Sequence, residues 1–151
     1  MTRGVMLATD VDANARNGRT PVTALAALGD WIDRYERAWR SNDAGQAADL
    51  FTEDAAYRWH PWESPEQGAR GRDDIVELWL KEPDDPSSWT MEFEPLAVNG
   101  DQGVARGVTR YVAADGRPAR TFHNIWLIRL TDDGRCSDFV EYFMEEPAGR
   151  G

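Results

Sequence analysis

The second half of this chain is written in strand period. Residues 88–98, 104–113, 119–130 and 136–145 alternate and are rich in aromatic and β-branched side chains. Asn99-Gly100, Asp115-Gly116 and Asp133-Gly134 separate them. Such pairs accept the positive backbone angles of tight hairpin turns. Four strands joined this way predict an antiparallel meander, and every other element must pack around it.

Upstream the period changes. From Pro21 to about Ser41, Leu25, Leu28, Ile32, Tyr35 and Trp39 recur at three- and four-residue spacing, the stripe of an amphipathic helix. Arg34, Arg37 and Arg40 lie mostly off that stripe. Asn42 and Asp43 break it, and Asp43 is suited to cap a short second helix from Ala44 to about Phe51. Residues 55–60 read as a strand and 61–71 as a loop rich in Pro and Gly. Residues 72–81 read as a third helix, with Asp73 and Asp74 favourable at its start and Pro83 and Pro86 beyond its end. The order is helix, helix, strand, helix, then four strands. This predicts an α+β fold with helices on one face of a mostly antiparallel sheet. Residues 1–20 lack a sustained period and read as a disordered tail, 21–147 as one domain, and 148–151 as a frayed end.

Charge narrows the function. The chain carries a net charge of −10 over 151 residues, which argues against nucleic acid and anionic membrane surfaces as partners. No stretch approaches the roughly 18 apolar residues of a membrane span. Cys136 is the single cysteine and forms no intrachain disulfide, so a reduced, cytoplasmic setting is expected. Two separated histidines and one cysteine make no metal-ligand spacing; neither a metal nor a cofactor is expected.

Several local strings carry a resemblance. They are Ala38-Trp39-Arg40-Ser41-Asn42-Asp43, Leu50-Phe51-Thr52-Glu53-Asp54-Ala55, Gly71-Arg72-Asp73-Asp74-Ile75 and Asp133-Gly134-Arg135, followed by Glu141-Tyr142-Phe143. With the element order, they make residues 22–146 similar to the nuclear transport factor 2-like superfamily, in its SnoaL-like branch. The resemblance implies a cone: three helices packed on a strongly curved sheet, with a pocket between them. This fold hosts isomerases, dehydratases, epoxide hydrolases, cyclases and binding domains, so fold alone does not assign function.

Strand alternation then sorts the side chains. Tyr57 and Trp59 are expected inward, with Arg106, Val108 and Arg110, then Phe122, Asn124, Trp126 and Ile128, then Phe139, Glu141 and Phe143. The opposite set holds His60, Tyr111, His123, Ile125, Leu127 and Tyr142. That set is apolar enough to need cover, which predicts a homodimer through the outer sheet face.

The resemblance also allows relatives' chemistry to be laid on these positions. Limonene-epoxide-hydrolase relatives pair a Tyr with an Asn on the first strand and two acids with an Arg further on. Tyr57, Arg106 and Glu141 match, but Trp59 stands at the Asn and Val108 at one acid. Ketosteroid-isomerase relatives use a helix Tyr, matched by Tyr35, and a base whose place Trp59 takes. Scytalone-dehydratase relatives use inward histidines, whereas His60 and His123 fall outward. What remains is Glu141 as acid/base, Asn124 and Tyr57 as orienting groups, and Arg106 tuning or locking Glu141. Tyr35, Trp59, Val108, Arg110, Phe122, Trp126, Phe139 and Phe143 are the expected pocket wall, suited to a small apolar or aromatic molecule. Of the seven tryptophans, Trp31, Trp39 and Trp79 are expected in the helix-side core, and Trp62 over the pocket mouth or stapled onto the domain. A cofactor-independent enzyme, a non-catalytic binding domain and an interaction module all fit.

Overall fold

The computed structural model describes residues 21–148; the tail expected at 1–20 and residues 149–151 lie outside the described residues. Helix α1, Pro21–Ser41, buries Ala24, Leu28, Trp31, Ile32, Tyr35 and Ala38 on one face, the three- and four-residue spacing of its stripe. Asn42 ends it with a φ of 53°, the left-handed geometry that terminates helices. Asp43 caps α2, Ala44–Ala48, by accepting from the Gln46 amide at 2.9 Å.

Helix α2 stops short of its expected end, and Phe51 opens β1, Phe51–Arg58, instead. The cause lies at Leu50. Its carbonyl accepts from the Cys136 amide at 2.7 Å and from Trp31 Nε1 at 3.0 Å. Two donors from elsewhere thus draw the chain into the sheet. A two-residue edge strand β2, Ala69–Arg70, lies within the expected loop; it is too short to carry a period. Helix α3, Arg72–Lys81, and a 3₁₀ turn, Pro86–Ser88, lead to β3, Trp89–Asn99. Strands β4, Gln102–Tyr111, β5, Arg120–Leu130, and β6, Cys136–Glu145, complete the meander.

The sheet order is β2-β1-β6-β5-β4-β3. Strands β1 and β6 pair in parallel and every other neighbour is antiparallel. Register shifts interrupt β1, β3 and β5, and such irregularities bend strands. The result is the expected α+β cone of three helices against a curved sheet. Trp31, Phe51, Phe139, Leu28 and Ile128 are fully buried between the layers. No helix among the described residues is long and apolar enough to cross a membrane.

Strand β4 runs in the opposite phase to the expected one. Gly103, Ala105, Gly107 and Thr109 are buried, while Arg106 and Arg110 are exposed and Val108 shares their side. Arg106 donates to Glu94 at 2.6 Å, and Arg110 lies 3.6 Å from Glu92. The expectation that Arg106, Val108 and Arg110 line the pocket is therefore corrected, and so is the outward placement of Tyr111. Packing volume sets the phase. A Cβ on Gly103 would sit 2.7 Å from Leu28 of α1, and one on Gly107 would sit 2.2 Å from the Phe93 ring. At these two positions only glycine fits without displacing a neighbour.

Candidate active site

A pocket of about 580 Å³ opens between the inner sheet face and the helices. Helix α1 contributes Tyr35 and Trp39, β1 and the residue after it Tyr57 and Trp59, and α3 Ile75, Leu78 and Trp79. Strands β4, β5 and β6 contribute Thr109 and Tyr111, Phe122, Asn124 and Trp126, and Glu141 and Phe143. Glu82, Asp84, Arg117 and Arg120 also line it.

Glu141 reaches into this pocket from β6. It pairs in register with Trp126 on β5, so both face inward. Burial pushes its carboxyl up from the ordinary 4.5 to about 7, because desolvation disfavours the charged form. A hydrogen bond from Asn124 Nδ2 to Oε1, 2.7 Å long, pulls the other way. Trp126 Nε1 has no partner within hydrogen-bond range, yet its N–H draws the carboxyl in the same downward direction. Asn124 is itself held: its Oδ1 accepts from Thr109 Oγ1 at 3.1 Å. Thr109 and Asn124 are the buried polar residues among the described residues, each 6% exposed. They satisfy one another, and a buried polar atom left unpaired costs about 1–3 kcal/mol.

Two phenols share the pocket. The Tyr35 and Tyr57 hydroxyls lie 2.9 Å apart. Burial raises both pKa values well above the ordinary range, and the Glu141 charge adds to the rise. Both therefore stay neutral near pH 7. Tyr111 is pushed up to about 12, by burial first and then by the charges of Asp84 and Glu141. The aromatic wall is tightly keyed: Tyr35 lies 4.6 Å from Trp126 and 4.9 Å from Trp79, and Trp59 lies 4.9 Å from Tyr57. At the rim Trp39 Nε1 donates to Asp84 at 3.1 Å.

Of the site residues expected from sequence, Glu141, Asn124, Tyr57, Tyr35, Trp59, Phe122, Trp126 and Phe143 meet in this pocket. Phe139 lies behind the wall, fully buried and stacked 4.3 Å from Tyr57. Arg106 neither tunes nor locks Glu141, since it is bound to Glu94 on the other face. Trp62 does not cover the mouth: it is 78% exposed and stacks on His60 beside an outer-face groove that His123 also lines. Trp39 and Trp79, expected only as core, are also wall residues. Thr109 is a wall residue that the expected phase of β4 leaves out, and Tyr111 is one that it places outward. The signal that finds them is the row of small residues Gly103, Ala105 and Gly107. No group of three or more His, Cys, Asp or Glu side chains among the described residues is placed to hold a metal ion.

Comparison with known proteins agrees with this architecture. The epoxide hydrolase/cyclase-like enzyme SalBIII, with a role in pyran ring formation in the polyether salinomycin, superposes with a TM-score of 0.60 at 15% identity, over 77% of this chain and 89% of that one. An LEH-like epoxide hydrolase from M. tuberculosis superposes at 0.57 and 16% identity, over 82% and 84% of the two chains. An NTF-2 like protein of unknown function from Burkholderia xenovorans LB400 gives 0.57 at 16% identity, over 83% and 89%. At such identities the likeness is one of fold. No curated protein matches the sequence. The SnoaL-like domain family, however, matches residues 32–139, and with the nuclear transport factor 2-like cone just described, this chain belongs to that family.

Proposed function

We propose that the chain is a cofactor-independent acid/base enzyme acting on a small, largely apolar or aromatic compound, with Glu141 as the group that takes and returns a proton. The observation that carries this reading is the setting of Glu141: a carboxyl lifted to about 7 by burial and steadied by Asn124, in a pocket walled by aromatic rings. A group with a pKa near the working pH is present in both forms, which suits it to both halves of a proton transfer. In the first half the carboxylate accepts a proton from the substrate. In the second the neutral acid returns it at another atom of the same molecule. Of the two protons on the Tyr35–Tyr57 pair, one lies between the oxygens, and the other is left to donate to a substrate oxygen. Isomerisation, cyclisation and dehydration use such a step; in hydrolysis the carboxylate takes its proton from the attacking water and the acid returns it to the leaving oxygen. The epoxide hydrolase and cyclase-like chemistry of the structural neighbours supports this range.

A second reading, non-catalytic ligand binding, is favoured by one observation. The inward face of β4 carries no acid, and Trp59 stands where isomerase relatives keep their base. One experiment separates the two. The full chain is incubated with cyclic enones, aryl epoxides and hydroxyketones, and products are followed by mass spectrometry. The enzyme reading expects conversion with a rate inflection near pH 7. Glu141→Gln abolishes it, while quenching of tryptophan fluorescence by the bound compound persists. Saturable quenching with no conversion across the panel supports the binding reading; conversion undiminished in Glu141→Gln removes Glu141 from the mechanism.

We propose also that the outer sheet face joins two copies of the chain. Its centre holds Val108, Ile125 and Tyr142 beside a groove of about 1000 Å³, with Glu92, Glu94 and Arg106 around it. An apolar centre with a charged rim is the anatomy of protein interfaces.

A further inference from the structure

Three polar side chains cross the sheet in a diagonal row, one from each of β4, β5 and β6. Thr109 donates from Oγ1 to Asn124 Oδ1 at 3.1 Å, and Asn124 donates from Nδ2 to Glu141 Oε1 at 2.7 Å. Thr109 is buried and takes no part in the chemistry proposed above, on which the following inference rests. An amide has one donor end and one acceptor end. Ionised Glu141 accepts only and takes the N–H₂ end, but a carboxyl with a pKa near 7 is also present as the acid, whose O–H can face the amide oxygen instead. At its far end the buried Thr109 hydroxyl donates to Oδ1; with Nδ2 there it would accept instead, and its own proton would lose that partner.

We propose that Thr109 is the positioning residue for Glu141: its hydroxyl holds the Asn124 amide so that the N–H₂ end faces the carboxyl. Two consequences follow. First, Oε1 is occupied by the Asn124 donor, which leaves Oε2 as the atom that exchanges a proton with the substrate. Second, the carboxylate form is supported at the moment it must act as a base. With the amide reversed, the oxygen of Asn124 would face Glu141 and favour the protonated acid. The hydroxyl is the essential part, since a valine of the same shape offers no proton.

The test reads the Glu141 carboxyl directly and needs no substrate. The ¹³C shift of the Glu141 carboxyl is followed against pH in the full chain, in Thr109→Val and in Thr109→Ser, with circular dichroism and thermal melts to confirm folding. Loss of a hydrogen bond to a charged group predicts an upward move of about one pH unit in Thr109→Val. Thr109→Ser restores the original midpoint, and the Asn124 side-chain ¹⁵N signals move in the valine variant only. A folded Thr109→Val with an unmoved midpoint overturns the proposal. So does a serine variant shifted as far as the valine one, because that is the mark of lost packing. If Thr109→Val fails to fold, the serine variant and Asn124→Ala are compared, and an unmoved midpoint in Asn124→Ala overturns it equally. Failure of the acid/base reading gives a different pattern: these shifts appear, yet Glu141→Gln leaves turnover unchanged.

Discussion

At the scale of single residues, the site rests on an imbalance at Glu141. Burial raises its pKa, the Asn124 amide and the Trp126 N–H lower it, and among the described residues no cation contributes to the shift. The structure therefore carries a cost when Glu141 is charged, and that cost has a pH signature. The folded pKa, about 7, lies above the unfolded value of 4.5. Between those values the folded state binds more protons than the unfolded one, so stability falls as pH rises through the window. The stability is fully present below pH 4.5 and lost above pH 7. The shift sets an upper limit of about 3 kcal/mol, reduced by the partial contact of Glu141 with solvent. Chemical denaturation from pH 4 to 8 is expected to show this decline in the native chain and its absence in Glu141→Gln, which becomes the more stable of the two above pH 7. Glu141 and Asn124 were legible in the sequence, because alternation sets Asn124 in line with Phe122 and Trp126 on one strand and Glu141 in line with Phe139 and Phe143 on the other.

At the scale of elements, strand β4 shows where reading stops. Its two faces are Val104, Arg106, Val108 and Arg110 on one side and Gly103, Ala105, Gly107 and Thr109 on the other. Apolar bulk favours the first as the core face. The fold uses the second, since Leu28 of α1 and the Phe93 ring fill the space that side chains there would need. Which face is buried is thus decided by partners distant in sequence. The same holds for the end of α2, where the Cys136 amide and Trp31 Nε1 both donate to the Leu50 carbonyl. Gly107 offers a direct check. Phe93 lies over it and stacks 4.0 Å from Trp126. Gly107→Ala has to displace that ring, and overpacking of this kind costs about 1–3 kcal/mol. The expected outcome is a lower denaturation midpoint together with altered Trp126 fluorescence. Unchanged stability would mean that small size on this face is not what sets the phase of β4.

At the scale of the whole molecule, the two sheet faces divide the work. The inner face closes over Glu141. The outer face presents Met144 at 76% exposure and Trp62 at 78%, a surface whose cover is expected to be a second copy. Light scattering behind size exclusion is expected to give twice the mass of the chain. Ile125→Asp together with Val108→Asp is expected to give the single mass, with the melting profile of the inner core retained. A single mass for the native chain at micromolar concentration contradicts the dimer. The central claim concerns the other face: the cone removes enough water from Glu141 to make it a proton carrier at neutral pH. The most direct measurement is the ¹³C titration of the Glu141 carboxyl in the full chain, assigned by its loss in Glu141→Gln. A midpoint near 7 is predicted; a midpoint near the ordinary 4.5 contradicts the account.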